Sequence, residues 1–186
     1  MLSLYRVFPF LASAPADAPG GALYVPAQGA GRLDNPDLFS VLYLSDAPAG
    51  SVAEAFGRFP IWTAAVLQGS PALSGSVRAL ARYRLRNDTR LCDLDDPHRL
   101  VKLHLRPSQI VSRDYTGTRS WARRIHLERG WIGVKWWSYY DPQWASVGLW
   151  NTRGLALEEV RPLHLDDDAV VEAGRTIFRR IVRDTR

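Results

Sequence analysis

The stretch "GRLDNPDLFSVLYLSDAPAGSVAEAF", residues 31–56, carries a guanidinium, a phenol and a carboxylate: Arg32, Tyr43 and Glu54, spaced evenly along the chain. Two further polar side chains sit among apolar neighbours, Arg6 in "LYRVF" and Ser138 in "KWWSYY". Brought to one cleft, a guanidinium fork can clamp phosphate oxygens and a carboxylate can stabilise developing positive charge. Taken singly, each residue has a plainer reading. Arg32 is then a turn arginine, Tyr43 a half-buried strand tyrosine, Glu54 a first-turn helix glutamate favoured by the dipole, and Ser138 a common strand serine.

Other chemistries find little footing. "GAGRLD" has Gly29 and Gly31 but Asp34 where a dinucleotide-binding turn needs a third glycine, and no helix follows. There is no Walker loop and no GxSxG elbow. The four histidines lack HxxxH spacing and the single cysteine, Cys92, cannot build a zinc site, so no metal is expected. The acid clusters "DLDDP" and "LDDD" read as helix caps rather than a divalent-ion site. The aromatic run "KWWSYYDPQW" could stack on bases, but packing is the plainer account.

The elements that must carry these residues are legible in outline. "LYRVF" (4–8) and "SVLYLS" (40–45) read as strands, with a long Ala/Pro/Gly-rich loop over 13–37 between them. Pro48 opens a helix bearing Val52, Ala53, Glu54 and Phe56. "RALARYRL" (78–85) reads as a strand, "DDPHRLVKL" as a short helix with an Asp cap, and 118–130 as a helix capped by Thr118 and stopped by Gly130. Residues 131–141, "WASVGLW" and "GLALEEVRPL" add strands. A terminal helix follows, with a core stripe of Val170, Val171, Gly174, Ile177, Phe178 and Ile181. Six or seven strands and about four helices without strict alternation predict an α+β fold in one domain, 1–186, with mixed or antiparallel sheets.

The chain has 186 residues, 46% of them hydrophobic and 23% charged, enough for a real core. Its net charge is +5 and its pI about 9.7, and of 24 basic residues only Lys102 and Lys135 are lysines. That surface suits nucleic acid, an anionic small molecule or an acidic partner, and no basic run is dense enough to choose. One cysteine forbids an internal disulfide and suits a reducing, cytoplasmic setting. Arg6 and Pro9 break the only leader-like patch, and no apolar run approaches the ~20 residues of a spanning helix.

Arg32, Tyr43 and Glu54 in this order, followed by Ser138 in an aromatic strand, resemble the RES-domain family, named for Arg, Glu and Ser. The resemblance runs from "LYRVF" through "VLYLSDAPAGSVAEAF" and "DLDDPHRL" to "GVKWWSYYDPQWASVGLW", about 4–150, leaving a strand and the C-terminal helix beyond it. One departure concerns the loop: Leu33 and Asp34 intervene before Asn35, where the family often has an aromatic and then Asn directly after this arginine.

The resemblance implies a toxin of a bacterial toxin–antitoxin pair, with an ADP-ribosyltransferase-like fold around a cleft for NAD+. It implies cleavage of the nicotinamide–ribose bond by water or phosphate, with no cofactor beyond NAD+ as substrate and inorganic phosphate as candidate co-substrate. Nicotinamide leaves a pyridinium as a neutral ring, so one carboxylate suffices where ordinary glycosidases use two. Glu54 would stabilise the oxocarbenium-like transition state, Arg32 and Arg6 would hold the diphosphate, Tyr43 would stack on nicotinamide or bond the ribose, and Ser138 would orient the ribose or carboxamide. The implied partner is an antitoxin that covers the cleft, acidic where it meets Arg6 and Arg32. Two alternatives remain: a mono-ADP-ribosyltransferase, which would leave labelled protein, and a basic nucleic-acid-binding module, which would bind with steep salt dependence and be indifferent to Glu54.

Overall fold

Alternation along β1 (Leu2–Phe10) sets the plan of the molecule. Leu4 and Phe8 bury toward one face of a sheet, and Tyr5 and Val7 pack toward the other. The computed structural model describes residues 1–26 and 29–183. Positions 27 and 28 of the expected loop, and 184–186 of the expected domain, lie outside the described residues.

Around β1 the sheet gathers β2 (Leu42–Ser45), β4 (Val77–Leu85), β5 (Leu91–Asp93), β6 (Gly133–Trp137), β7 (Ala145–Leu149) and β8 (Leu155–Pro162). Their order is β5-β6-β7-β2-β1-β4-β8. Every neighbouring pair is antiparallel except β5 with β6, so the sheet is mixed, as the α+β reading expects. A separate parallel pair joins β3 (Ile61–Trp62) to β9 (Arg180–Ile181).

One face of the sheet carries Leu4, Phe8, Leu42, Leu44, Ala79, Tyr83 and Val147 beneath the 11–26 segment. The other face carries two helical groups. Helix α1 (Pro48–Phe56) and α5 (Asp168–Thr176) bury Val52, Ala53, Phe56, Val170 and Ala173 with Trp62 and Leu80. Helices α2 (Pro97–Lys102), α3 (Pro107–Ile110) and α4 (Tyr115–Leu127) bury Leu100, Ile110, Trp121 and Ile125 against Val134 and Trp136. Each large apolar side chain so buried contributes about 1.5–3 kcal/mol.

Strands β1 and β2 meet at a single pair, Tyr5 with Ser45. All nine residues of β1 pair on its other side with β4, and all four of β2 pair with β7. The sheet is therefore forked at its middle, and α1 lies over the fork, touching both β1 and β2.

The structure corrects several boundaries. Helix α4 starts at Tyr115 with Asp114 as its cap, accepting from Thr116 N, and not at Thr118. Thr118 lies inside the helix because its hydroxyl is engaged elsewhere, donating to Arg32 O at 2.7 Å. The helix ends before Gly130, with Arg129 taking the left-handed turn at φ 52°. The terminal helix ends at Thr176, and Phe178 turns outward at φ 55°, 91% exposed, outside the expected stripe. Ile181 returns to the same core as part of β9. Strands β3 and β9 and the one-turn α3 are too short to leave a periodic signal in sequence.

Candidate functional site

Glu54 lies in the second half of α1, with no acidic residue in that helix's first turn, so the dipole reading of this glutamate fails. Pro48 starts the helix without a side-chain cap. Val52, Ala53 and Phe56 anchor it and leave Glu54 turned toward the fork. Close approach to the sheet requires Gly50: a Cβ there would stand 2.5 Å from Ser45 Oγ and 3.2 Å from Trp144 Cβ. Beneath Glu54, Ser45, Ser146 and Trp136 occupy one rung across β2, β7 and β6.

Glu54 Oε1 accepts from Ser138 Oγ at 3.0 Å and from Ser146 Oγ at 3.4 Å. The carboxylate is open to the cleft on one side and crowded by protein on the others. That crowding pushes its pKa above the ordinary carboxylate range, against the bonds from the two serines and the charge of Arg32, which pull it down.

Arg32 sits on the loop before β2. Its Nη1 donates to Ile110 O at 2.8 Å and Ser112 O at 2.5 Å, and its guanidinium lies over the Tyr115 ring at 5.5 Å. Carbonyl anchors fix the fork without neutralising it. Arg6 is anchored alike, with Nη1 donating to Ala22 O at 3.2 Å and Tyr24 O at 2.8 Å. Neither arginine forms a salt bridge with an acid among the described residues. Burial lowers both pKa values, yet a guanidinium stays charged.

The residue that sequence reasoning undervalued is Asp34. Buried at 5% exposure, its Oδ2 accepts from Gly29 N at 2.7 Å and Gly31 N at 2.6 Å, and its Oδ1 accepts from the Tyr43 hydroxyl at 2.6 Å. Tyr43 Oη also accepts from Leu33 N at 2.9 Å. The phenol's donor and an acceptor lone pair are thus committed to the loop, while its ring lines the cleft. Burial and the bond to Asp34 raise the Tyr43 pKa, so it stays protonated. Helix α4 closes the strap: Arg119 donates to Gly31 O at 3.0 Å and Gly29 O at 2.7 Å, and Asn35 Nδ2 donates to Arg119 O at 3.1 Å. The Leu33–Asp34 departure is therefore what braces the arginine loop.

The resulting cleft holds about 400 Å³. Arg6, Arg32, Tyr43, Glu54, Tyr115 and Ser146 are among the residues that line it. Four of the five residues singled out from sequence thus converge there, and Ser138 reaches it through Glu54. Ser146 and Tyr115 were passed over; neither carries a sequence signal apart from its place on a strand or at a helix start. No group of His, Cys, Asp or Glu among the described residues could hold a metal ion.

A family model described as the RES domain matches residues 3–170. Among solved structures, the chain is similar to one in the M. tuberculosis MbcT–MbcA toxin–antitoxin complex, with a TM-score of 0.60. That likeness covers 95% of this chain and 88% of the other at 16% identity, which speaks to the fold alone. No curated protein sequence matches.

Proposed function

The chain belongs to the RES-domain family, and we propose that it is the toxin enzyme of a toxin–antitoxin pair, acting by cleavage of the nicotinamide–ribose bond of NAD+. The observation that carries this reading is one carboxylate, Glu54, in a cleft of about 400 Å³ that is also lined by two guanidiniums, Arg32 and Arg6, neither in a salt bridge among the described residues. Arg32 and Arg6 supply charge for a diphosphate, each pre-set by its carbonyl anchors. Preorganised groups of this kind need no reorganisation as charge develops.

The bond between the ribose carbon and the nicotinamide nitrogen breaks with its electron pair going to nitrogen, which loses its positive charge and needs no acid. An oxygen of water or of hydrogen phosphate bonds to the same carbon. Water yields ADP-ribose and one proton to solvent; hydrogen phosphate yields ADP-ribose phosphorylated at that carbon. Ionised Glu54 stabilises the cationic ribose between these events. The Tyr43 ring offers a stacking surface, its hydroxyl being held by Asp34. The ADP-ribosyltransferase-like fold belongs to this same reading, as do an antitoxin covering the cleft and a cytoplasmic place of action. No helix among the described residues is long and apolar enough to cross a membrane.

The test is nicotinamide release from NAD+ by the partner-free chain, with and without phosphate. Glu54→Gln should lower kcat by roughly 10²–10³-fold. A rise with phosphate identifies a phosphorylase. Label appearing on protein instead of small products points to the transferase. No release from a folded, partner-free chain overturns the degradative reading.

A further inference from the structure

Two serines reach the same oxygen of Glu54, and they are not equivalent. Ser138 Oγ donates to Glu54 Oε1 at 3.0 Å and accepts from Tyr140 N at 3.2 Å, while its own backbone N donates to Trp144 O. A hydroxyl has one donor and two acceptor lone pairs. In Ser138 the donor and an acceptor are spent within the protein, and it does not line the cleft; both serines are buried, so their bonds and not their exposure separate them. Ser146 Oγ makes one long donation, 3.4 Å to Glu54 Oε1, and among the described residues nothing donates to it. Its side chain lines the cleft.

The neighbouring hydroxyls do not offer the same opportunity. Ser45 Oγ donates to Ala145 O and accepts from Ala47 N, so it is occupied. Ser51 lines the cleft but forms no hydrogen bond with Glu54. Glu54 Oε2 accepts from no described residue, so the acid and Ser146 together present to the cleft adjacent acceptors that no described residue occupies. A ribose carries two neighbouring hydroxyl donors. The match is one donor to the carboxylate and one to the serine.

We infer that Ser146 is the serine that touches the substrate, accepting a hydrogen bond from a hydroxyl of the nicotinamide-bearing ribose while it donates to Glu54. Ser138 is then a positioning residue that acts through Glu54. This rests on the NAD+-cleaving reading above.

The experiment compares Ser146→Ala and Ser138→Ala on NAD+ and on two analogues lacking the 2- or the 3-hydroxyl of that ribose. Ser146→Ala should lower kcat/KM for NAD+ roughly tenfold, the scale of one lost hydrogen bond. That loss should shrink on one analogue, whose missing hydroxyl leaves Ser146 only its long bond to Glu54. Ser146→Thr, which keeps the hydroxyl, should restore most of the activity. Ser138→Ala should lower kcat by the same factor on all three substrates. It should also move the acid limb of the pH profile upward, because its bond holds the Glu54 pKa down. Equal losses for Ser146→Ala on every substrate, or no loss, overturn the inference, as does a substrate-dependent loss for Ser138→Ala. Wild-type chain that releases no nicotinamide overturns the proposed function and this inference with it; wild-type turnover with an indifferent Ser146→Ala overturns this inference alone.

Discussion

Replacing Asp34 with asparagine tests whether the arginine loop is held as described. The carboxylate accepts three hydrogen bonds, from Gly29 N, Gly31 N and Tyr43 Oη. Asparagine offers one oxygen. Turned to the two amides, it places its NH2 against a phenol oxygen that already accepts from Leu33 N, and the phenol proton loses its acceptor. One charge-assisted bond disappears and two become neutral. With bonds to charged groups worth about 1.5–3 kcal/mol, the expected loss is about 2–4 kcal/mol, large against a typical stability of about 5–15 kcal/mol. Urea unfolding at neutral pH measures it.

The pH dependence supplies the second arm. Burial pushes the Asp34 carboxyl up, but the bonds from Tyr43, Gly29 and Gly31 and the charge of Arg119 outweigh it, and the net pKa lies below the ordinary range. Its stabilisation is therefore fully present above the unfolded value of about 3.9 and is lost as pH falls through the lower folded value. The gap between wild type and Asp34→Asn should close over that window. Tyr43→Phe removes a shared bond, so the two substitutions should be non-additive by about 0.5–3 kcal/mol. An Asp34→Asn chain within about 0.5 kcal/mol of wild type at neutral pH, or additive with Tyr43→Phe, refutes the reasoning.

Glu54→Gln should stabilise the fold at neutral pH while lowering kcat roughly 10²–10³-fold: the folded pKa is raised, so stability falls as pH rises from the unfolded value of about 4.3 through the folded one, and glutamine removes that loss. The urea midpoint gain should fade below the unfolded pKa. Activity of the wild type should fall on acidification through a pKa above the ordinary carboxylate range. Gly50→Ala inverts helix propensity, because its Cβ would stand 2.5 Å from Ser45 Oγ; thermal melts should show a loss of about 1–3 kcal/mol, and displaced Glu54 should cost activity roughly 10²-fold. Arg119→Ala removes two bonds to the arginine loop and should raise KM for NAD+ roughly tenfold in steady-state assays.

Local signals were sufficient for much of this protein. Pro48 and the apolar spacing behind it specify α1, alternation specifies β1 and β4, and Asp96 caps α2 as its position suggests. These depend on interactions within a few residues, which a sequence displays directly. The approximate extent of the site was also legible, since Arg32, Tyr43 and Glu54 stand in family order. What those residues do to one another was not. Asp34 looks like a turn residue until Tyr43, nine positions on, donates to it. Thr118 looks like a helix cap until Arg32 O, 86 positions away, takes its hydroxyl. Glu54 looks like a plain helix glutamate until α1 is seen to lie over the fork between β1 and β2, where Ser138 and Ser146 donate to it. Ser138, expected within an aromatic strand, follows the end of β6 at Trp137, while Ser146 lies inside β7, and only the closed sheet sets one against the protein and the other against the cleft. Sequence settled which elements form, because short-range sterics and capping decide that. Tertiary packing settled which hydroxyls, carbonyls and charges are already spent and which still face the cleft, because those partners come from distant parts of the chain.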